Sequence, residues 1–446
     1  MAGQSNRSAR STVLPEQFTL KNATPFGGAN LIWRFLEYVG LGSQLTAALA
    51  PHGKAKHAKY SVVQEVLLLL IGRMLGLGRI ADFTEVEQDP LLARLFRLPK
   101  LPDVTILYKE MVRLGSDGVR AALQPVHEAV LERTLGEEVV LDFDSSVETV
   151  YGHQEGAKVG YNPTRPGRPS FHPQLCFDGL TRSLVEAALR PGNTVSSTGL
   201  VETAERIFDR GVLAKRQIRL VRGDRGYGSE KFMSLLERRH LPFILKVTPT
   251  RPLRAWADGL TYRPIGTTVF GDILEVASGS YQAGDWSRAR RMVVVRECSP
   301  VRPNGQFLDL PVITEEQFMA TTLEGREDEE DIWHCYNQRC TSETSIRTLK
   351  EDWSFDAFSK DGFAANAVDL FFKGMAYNLA LAMQQALNPK DQATVHTGAT
   401  IRRMWFLLPA VVATHARDIF LRLPHEAESG HYGRAVRALL ALVAGT

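Results

Sequence analysis

Three acidic positions in the sequence lie where a carboxylate is costly or unusual, and the first is in an apolar strand. Asp142 and Asp144 interrupt the apolar run 139–143, where an unpaired charge would lose its hydration. Side chains alternate along a strand with a period of two, so both aspartates share one face and alternation does not choose between them. Asp144 is nearer the strand end, where the active sites of α/β sheets open. Either aspartate could instead cap the turn at Ser145 and Ser146, and residue type alone favours the two roles equally.

The second position is Asp224, which ends the apolar run IRLVRGD. The glycines that follow, Gly226 and Gly228, would let the backbone approach a ligand or a metal ion closely. An aspartate two residues before a glycine more commonly starts a turn or caps the next helix. Both interpretations of Asp224 stay open at this point.

The third position belongs to a pattern in the segment YNQRCTSETSIRTLK. Tyr336, Arg339, Glu343 and Lys350 are separated by 3, 4 and 7 residues, which in one continuous helix places them within an arc of about 60°. A carboxylate for a metal ion, with two cations and a tyrosine for phosphates, is what a phosphodiester site on a helix requires. An exposed face with an Arg–Glu pair has the same spacing, and spacing alone favours that simpler interpretation.

Together the three positions predict a metal-dependent reaction on a phosphodiester. Two divalent ions held by three carboxylates can activate an attacking water or hydroxyl and stabilise the leaving oxygen. Mg²⁺ is the expected cofactor, with Mn²⁺ as a substitute, because the ligands are hard oxygens and no Cys or His cluster is offered to zinc. His153 and His172 are single histidines without an evident partner in the sequence, and they are interpreted as structural.

The elements that must position these residues follow from the spacing of apolar residues. Residues 28–135 show helical periodicity. From residue 138 the runs VVLDFDSS, FHPQLCFDG and SLVEAALRPGN predict three strands joined by turns, and helices then alternate with strands as far as PFILKV. This order is typical of an α/β protein with a mixed sheet whose first three strands are antiparallel.

Changes of pattern divide the chain into five segments. Residues 249–323 have strand-like composition without helical patterns between, which predicts a β-rich insertion, and helix resumes near Asp328. Residues 1–60 hold seven Lys and Arg against two Glu, whereas the whole chain carries a net charge of only +3. The predicted helical amino-terminal region is 1–135. The core is predicted in two parts, 136–248 and 326–390, which are separated by the insertion at 249–325. The carboxy-terminal region is 391–446.

The composition excludes several classes of protein. Of 446 residues, 44% are hydrophobic and 23% are charged, which is typical of a globular chain and not of a disordered or coiled-coil one. The four cysteines lack the spacing of a zinc site or a disulfide framework. The apolar runs are too short to span a membrane and the polar start lacks a signal-peptide core, so a cytoplasmic protein is expected.

The chain resembles the DDE transposases of bacterial insertion sequences, in the branch with a β-rich insertion before the catalytic glutamate. Tyr336, Arg339, Glu343 and Lys350 match the Tyr-(2)-Arg-(3)-Glu-(6)-Lys signature of that branch at every position. The segments LDFDSSV, YGHQEGAKVGYNP, GRPSFHPQLCF and LRPGN are most similar to the group named after insertion sequence thirteen-eighty. The similarity extends over nearly the whole chain, from residue 25 to residue 422.

This resemblance implies a ribonuclease-H-like catalytic core that is split by the insertion. Asp144, Asp224 and Glu343 would bind the metal ions, at separations of 80 and 119 residues. In the family, small hydroxyl residues follow the first aspartate, which selects Asp144 and leaves Asp142 as the reserve.

By the same match, Tyr336, Arg339 and Lys350 would contact the transposon-end DNA near the cleaved phosphate. The basic amino-terminal region would read the terminal inverted repeats. The implied protein is a cut-and-paste transposase of the bacterial cytoplasm, associated with the nucleoid, that works as a homodimer on paired ends and joins them to target DNA. A metal-dependent nuclease on the same fold and a catalytically inactive DNA-binding regulator are the alternatives.

Overall fold

The computed structural model describes residues 16–301, 307–323, 328–388 and 394–445. Arg7 and Arg10, which contribute to the basic amino-terminal end, and residues 324–327 of the acidic run before Asp328 lie outside these ranges. The chain is a mixed α/β protein with one large mixed sheet, as the sequence predicts.

The amino-terminal part is helical. Its strand β1 and its helices α1 to α6 span Ala23–Thr24, Ala29–Tyr38, Leu41–Leu49, Val62–Leu75, Pro90–Leu95, Val104–Leu114 and Asp117–Leu131. The start of α3 shows why the sequence folds this way. The Ser61 hydroxyl accepts from the Gln64 backbone N–H while the Gln64 side chain accepts from Ser61, so the first turn has its free N–H groups satisfied. Gly76, with φ of 105°, ends the same helix.

Within the described ranges, the main sheet has nine strands, in the order β10-β11-β12-β13-β9-β8-β2-β6-β7. Strands β2 to β13 span Glu138–Ser145, Glu148–Thr149, Lys158–Val159, Pro169–Phe171, Gln174–Asp178, Leu184–Ala188, Gln217–Gly223, Phe243–Lys246, Arg263–Thr267, Ile273–Tyr281, Arg290–Val301 and Phe307–Thr321. The pairs β2–β8 and β8–β9 are parallel, and the other neighbours are antiparallel. Strands β3, β5 and β4 form a separate small sheet.

The segment predicted as a β-rich insertion continues the main sheet. Strands β10 to β13 form an antiparallel meander, and β13 pairs with β9 through Met319, Ala320 and Thr321. Helices α7 to α10 span Leu200–Phe208, Gly211–Ala214, Glu230–Arg238 and Arg251–Ala257, and α7 to α9 pack with Leu141 and Phe143 on one face of the sheet.

The carboxy-terminal elements join the amino-terminal helices. Helices α11 to α16 span Glu329–Asn337, Cys340–Trp353, Phe363–Leu387, Gly398–Ile401, Glu426–Ser429 and His431–Ala444, and strands β14 and β15 span Ala410–His415 and Asp418–Arg422. Helix α13 is buried on nearly every face and shares one apolar core with α1 to α6. No helix in the described ranges is long and apolar enough to cross a bilayer.

A buried charge cluster also ties α13 to the amino-terminal part. Asp369 of α13 pairs with Arg73 of α3 at 2.8 Å, with Lys360 at 2.6 Å and with Lys373 at 3.2 Å. The sequence-predicted boundary after residue 135 falls between α6 and β2, although the helices before it share their core with α13.

Candidate active site

Two of the predicted site residues are neighbours because β2 and β8 run parallel. Phe143 of β2 lies opposite Gly223 of β8, so the next residues, Asp144 and Asp224, both lie at the carboxyl ends of adjacent strands. Asp144 is buried, with 7% of its surface exposed. Asp224 is half-buried and its Oδ1 accepts from the Gly226 N–H at 3.0 Å, so it also forms the turn that its sequence context predicts.

Glycine at position 228 allows this turn to pack tightly. A Cβ atom on Gly228 would lie 2.3 Å from the Lys246 carbonyl oxygen of β9. The turn after Asp224 is therefore packed against the neighbouring strand β9, which is a contact with protein backbone and not with a ligand.

Asp142 has a different environment from Asp144. It has no exposed surface and binds Arg222 of β8 through two contacts, Nε to Oδ1 at 2.6 Å and Nη2 to Oδ2 at 2.8 Å. The Ser342 hydroxyl donates to the same carboxylate at 3.1 Å, and Arg222 also donates to the Cys335 carbonyl at 2.5 Å. Asp142 thus connects the sheet to α11 and α12. The sequence contains a signal for this ion pair: when LDFD and VRGD are aligned as parallel strands, Asp142 lies opposite Arg222.

The single helix assumed for Tyr336 to Lys350 is wrong. Tyr336 belongs to α11, Glu343 and Lys350 belong to α12, and Arg339 lies between the two helices. At this junction the Arg339 N–H donates to the Tyr336 carbonyl and the Ser342 N–H donates to the Arg339 carbonyl, at 2.9 and 2.8 Å. These bonds span three residues instead of four, so the α-helical repeat is interrupted where Arg339 and Ser342 contact the aspartates of β2.

Arg339 provides the positive charge that contacts Asp144. Its Nη2 lies 2.7 Å from Asp144 Oδ2 and 3.3 Å from the Phe143 carbonyl, and only 5% of the residue is exposed. Burial raises the pKa of Asp144 to about 6; Arg339 opposes this rise, while Asp224 and Glu343 add to it by repulsion. Asp224 and Glu343 are therefore close enough to disfavour the charge of Asp144.

One cleft of about 570 Å³ brings most of the predicted residues together. Its walls include Asp144, Asp224, Tyr336, Arg339 and Glu343. Glu343 is exposed in the first turn of α12, where the positive end of the helix dipole favours a carboxylate.

Lysine side chains lie in the same cleft and in the groove next to it. The Lys246 ammonium lies 4.7 Å from the centre of the Tyr336 ring, and burial lowers the pKa of this lysine. Burial also raises the pKa of Tyr336 to about 12. Lys350 is not among the residues of this cleft: it pairs with Glu148 at 3.0 Å and lines an adjacent groove.

A hydrogen-bond chain beside Asp144 was not identified from the sequence. His172 Nδ1 contacts the Thr194 carbonyl at 2.8 Å, so the neutral ring donates there, and its Nε2 accepts from Ser145 at 2.9 Å. Burial lowers the pKa of His172 and keeps the ring neutral. Ser145 also contacts Ser196 at 3.1 Å. Ser145 and Thr194 are far from His172 in the sequence: β2 pairs with β6 beside Ser145, and the His172 N–H donates to the Arg190 carbonyl before Thr194.

The donor set of the cleft fits a hard divalent cation. Asp144, Asp224 and Glu343 offer only carboxylate oxygens, which Mg²⁺ and Mn²⁺ prefer, and a cation would relieve the repulsion that Asp224 and Glu343 exert on Asp144. Across the described residues, no three His, Cys, Asp or Glu side chains are already grouped closely enough to hold an ion. The Arg339 guanidinium supplies the positive charge beside Asp144 in this arrangement.

The mixed sheet and the carboxylate cleft define an α/β protein with an acidic site at the carboxyl ends of its parallel strands. Residues 9–444 match the family described as transposase DDE domain group 1. The chain therefore belongs to this family of DDE transposases, in agreement with the resemblance found in its sequence.

A solved structure provides a distant comparison. The chain is similar to piggyBac transposase, determined by cryo-EM as a synaptic complex with hairpin DNA, with 14% sequence identity and a TM-score of 0.44 over 84% of this chain and 78% of that one. No curated protein matches the chain.

Proposed function

We propose that this DDE transposase binds the terminal inverted repeats of a bacterial insertion sequence, cleaves the DNA at their ends and joins the freed 3′ hydroxyl to target DNA. The observation that carries the proposal is the convergence of Asp144, Asp224 and Glu343 on one cleft, two of them from the carboxyl ends of adjacent parallel strands. The signature of the thirteen-eighty group in the sequence supports the assignment to insertion sequences. The proposed core is ribonuclease-H-like, with the five segments predicted from the sequence.

In this proposal Asp144, Asp224 and Glu343 hold Mg²⁺, or Mn²⁺ in its place. When bound, two such ions activate the attacking oxygen and neutralise charge on the leaving oxygen of a phosphodiester. The protein itself holds the three carboxylates at fixed positions around the cleft. The Asp142–Arg222 pair fixes α11 and α12 against the sheet and so fixes Glu343 relative to Asp144.

The proposed DNA contacts are Tyr336, Arg339 and Lys350. The Nε of Arg339 is buried and has no hydrogen-bond partner within the described ranges, which leaves a donor for a phosphate oxygen that enters the cleft. Release of Nη2 from Asp144 would free that carboxylate for the metal ion. The basic helical region 1–135 is proposed to read the terminal repeats, and two copies are proposed to act together on paired ends.

The test is cleavage of labelled DNA that carries the ends of the element, with Mg²⁺ or with EDTA. Asp144→Asn, Asp224→Asn and Glu343→Gln should retain binding and lose cleavage, because each keeps its shape and loses a charged ligand. Glu351→Gln is the matched control, since Glu351 is an exposed carboxylate on the same helix, and it should cleave normally. Cleavage by the Glu343→Gln variant at the rate of the unmodified protein would refute the proposal. Strand-transfer products distinguish a transposase from a nuclease.

A further inference from the structure

Two exposed tyrosines mark a surface beside the active-site cleft. Tyr151 and Tyr161 lie in the segment that forms the small β3-β5-β4 sheet, and 74% and 80% of their surfaces are exposed. An exposed ring leaves apolar area in water unless a partner covers it.

The same segment carries three exposed basic side chains. Lys158, Arg165 and Arg168 are exposed, and in the described part of the chain none of them forms an ion pair. Arg168 instead lies 5.9 Å from the centre of the Tyr151 ring. Tyr151, Lys158, Tyr161, Arg165 and Arg168 are called the tyrosine–arginine surface below.

The backbone under this surface is anchored. The Glu155 N–H donates to the Asp361 carbonyl at 2.7 Å, and the Glu155 carboxylate accepts from the Phe363 N–H at 2.9 Å, at the start of α13. Buried Asn162, next to Tyr161, donates to Thr149 at 2.9 Å. The tyrosines are thus presented on a rigid support, which lowers the entropy lost on binding a ligand.

Glycine at position 160 is part of that support. A Cβ atom there would lie 2.0 Å from the Gly192 carbonyl oxygen, so the backbone before Tyr161 packs directly on the loop after β7. Tyr161 therefore projects from a fixed point of the fold.

Helix α12 relates this surface to the catalytic cleft, because Glu343 lies in the cleft and Lys350 lies in a groove beside the tyrosines. A groove of about 520 Å³ is lined by Tyr151, Arg165 and Lys350. Lys350 follows Glu343 by seven residues on α12, which is a distance of about 10 Å along a helix. One strand of B-form DNA covers that distance in about three nucleotides.

We infer that the tyrosine–arginine surface binds unpaired nucleotides of the DNA end, reached through the groove that it shares with Lys350. The inference rests on the proposed function. Cations contact the phosphates while the tyrosine rings stack on exposed bases, a combination that suits single strands because the bases of a duplex already stack on one another. No sequence preference is required, since every base offers a flat face.

The experiment compares two DNA probes by fluorescence anisotropy in EDTA, with the full chain. One probe is a blunt duplex, and the other is the same duplex with a short tail of unpaired thymidines. The unmodified protein should bind the tailed probe more tightly. Tyr151→Ala and Tyr161→Ala should each weaken binding of the tailed probe about 5- to 100-fold and leave blunt binding unchanged. Tyr151→Phe and Tyr161→Phe keep the ring and should keep the preference.

Controls separate this surface from general DNA binding. Phe270→Ala removes an aromatic side chain that is 90% exposed on another part of the sheet, and it should leave both affinities unchanged. Arg165→Ala should weaken binding of the tailed probe and lower its salt dependence by about one phosphate contact, with blunt binding unchanged. Lys231→Ala, at an exposed lysine of α9, is its matched control.

Retention of the tail preference by both alanine variants, or equal affinity of the unmodified protein for both probes, would overturn the inference. Metal-dependent cleavage in the same preparations would then show that the proposed function stands without it. If the unmodified protein binds neither probe, both proposals fail.

Discussion

The Asp142–Arg222 pair holds two helices on the sheet, so we expect Asp142→Ala to lower the free energy of unfolding sharply. The side chain of Asp142 is fully buried and that of Arg222 is 2% exposed. The substitution would leave the guanidinium of Arg222 buried and would remove both of its bonds to the carboxylate, of 2.6 and 2.8 Å. Loss of one partner from a buried pair costs about 3–5 kcal/mol. Cleavage should also fall, because Ser342 and Glu343 share the first turn of α12.

The assay is urea unfolding followed by circular dichroism. A double variant, Asp142→Ala with Arg222→Met, removes the unpaired charge as well as its partner, so it should be more stable than Asp142→Ala alone. Asp209→Ala is the matched control: Asp209 also binds an arginine, Arg239, through two contacts, but both side chains are exposed. This variant should unfold almost as the unmodified protein does. An Asp142→Ala variant that unfolds at the same urea concentration as the unmodified protein would refute the reasoning.

Three further predictions concern other buried polar groups. Asp144→Asn should stabilise the fold at neutral pH, because the folded protein raises this pKa from 3.8 to about 6 and so disfavours the ionised carboxylate. Urea unfolding across this pH range should show no gain in the free energy of unfolding below pH 3.8. The gain should grow between pH 3.8 and about 6, and reach on the order of 3 kcal/mol at higher pH. Asp369→Asn leaves three buried cations without their partner and should cost about 3–5 kcal/mol in the same assay; unchanged stability would contradict the charge cluster. His172→Ala should cost about 1–3 kcal/mol, since Ser145 and the Thr194 carbonyl each lose a partner, whereas His172→Gln should recover part of that loss.

The sequence predicts the part of the site that depends on strand pattern. The apolar runs before Asp144 and Asp224 identify two strand ends, and parallel strands bring such ends to one edge of a sheet. The structure has this pairing, through β2 and β8. The mixed sheet and the helices of 28–135 follow from periodicity in the same way.

The remaining geometry depends on contacts between distant parts of the chain. Spacing alone treats Tyr336 to Lys350 as one helix, but contacts of Arg339 and Ser342 with β2 interrupt it, and Lys350 points to Glu148 in another groove. Period-two alternation cannot separate Asp142 from Asp144, since both lie on one face. The difference arises because Arg222 binds Asp142 inside the fold, whereas Asp144 pairs with Arg339 at the wall of the cleft. The predicted roles of Tyr336, Arg339 and Lys350 in binding DNA stay predictions.

The shared core of α13 and the amino-terminal helices has a consequence for the order of synthesis. A ribosome releases α1 to α6 long before Phe363–Leu387, so these helices emerge with an apolar face whose partner has not been made. Such a face invites chaperones or aggregation until the partner arrives. A shortened product that ended before α13 would expose the same face permanently. Complete translation is therefore needed before the amino-terminal helices can bury their apolar face against α13.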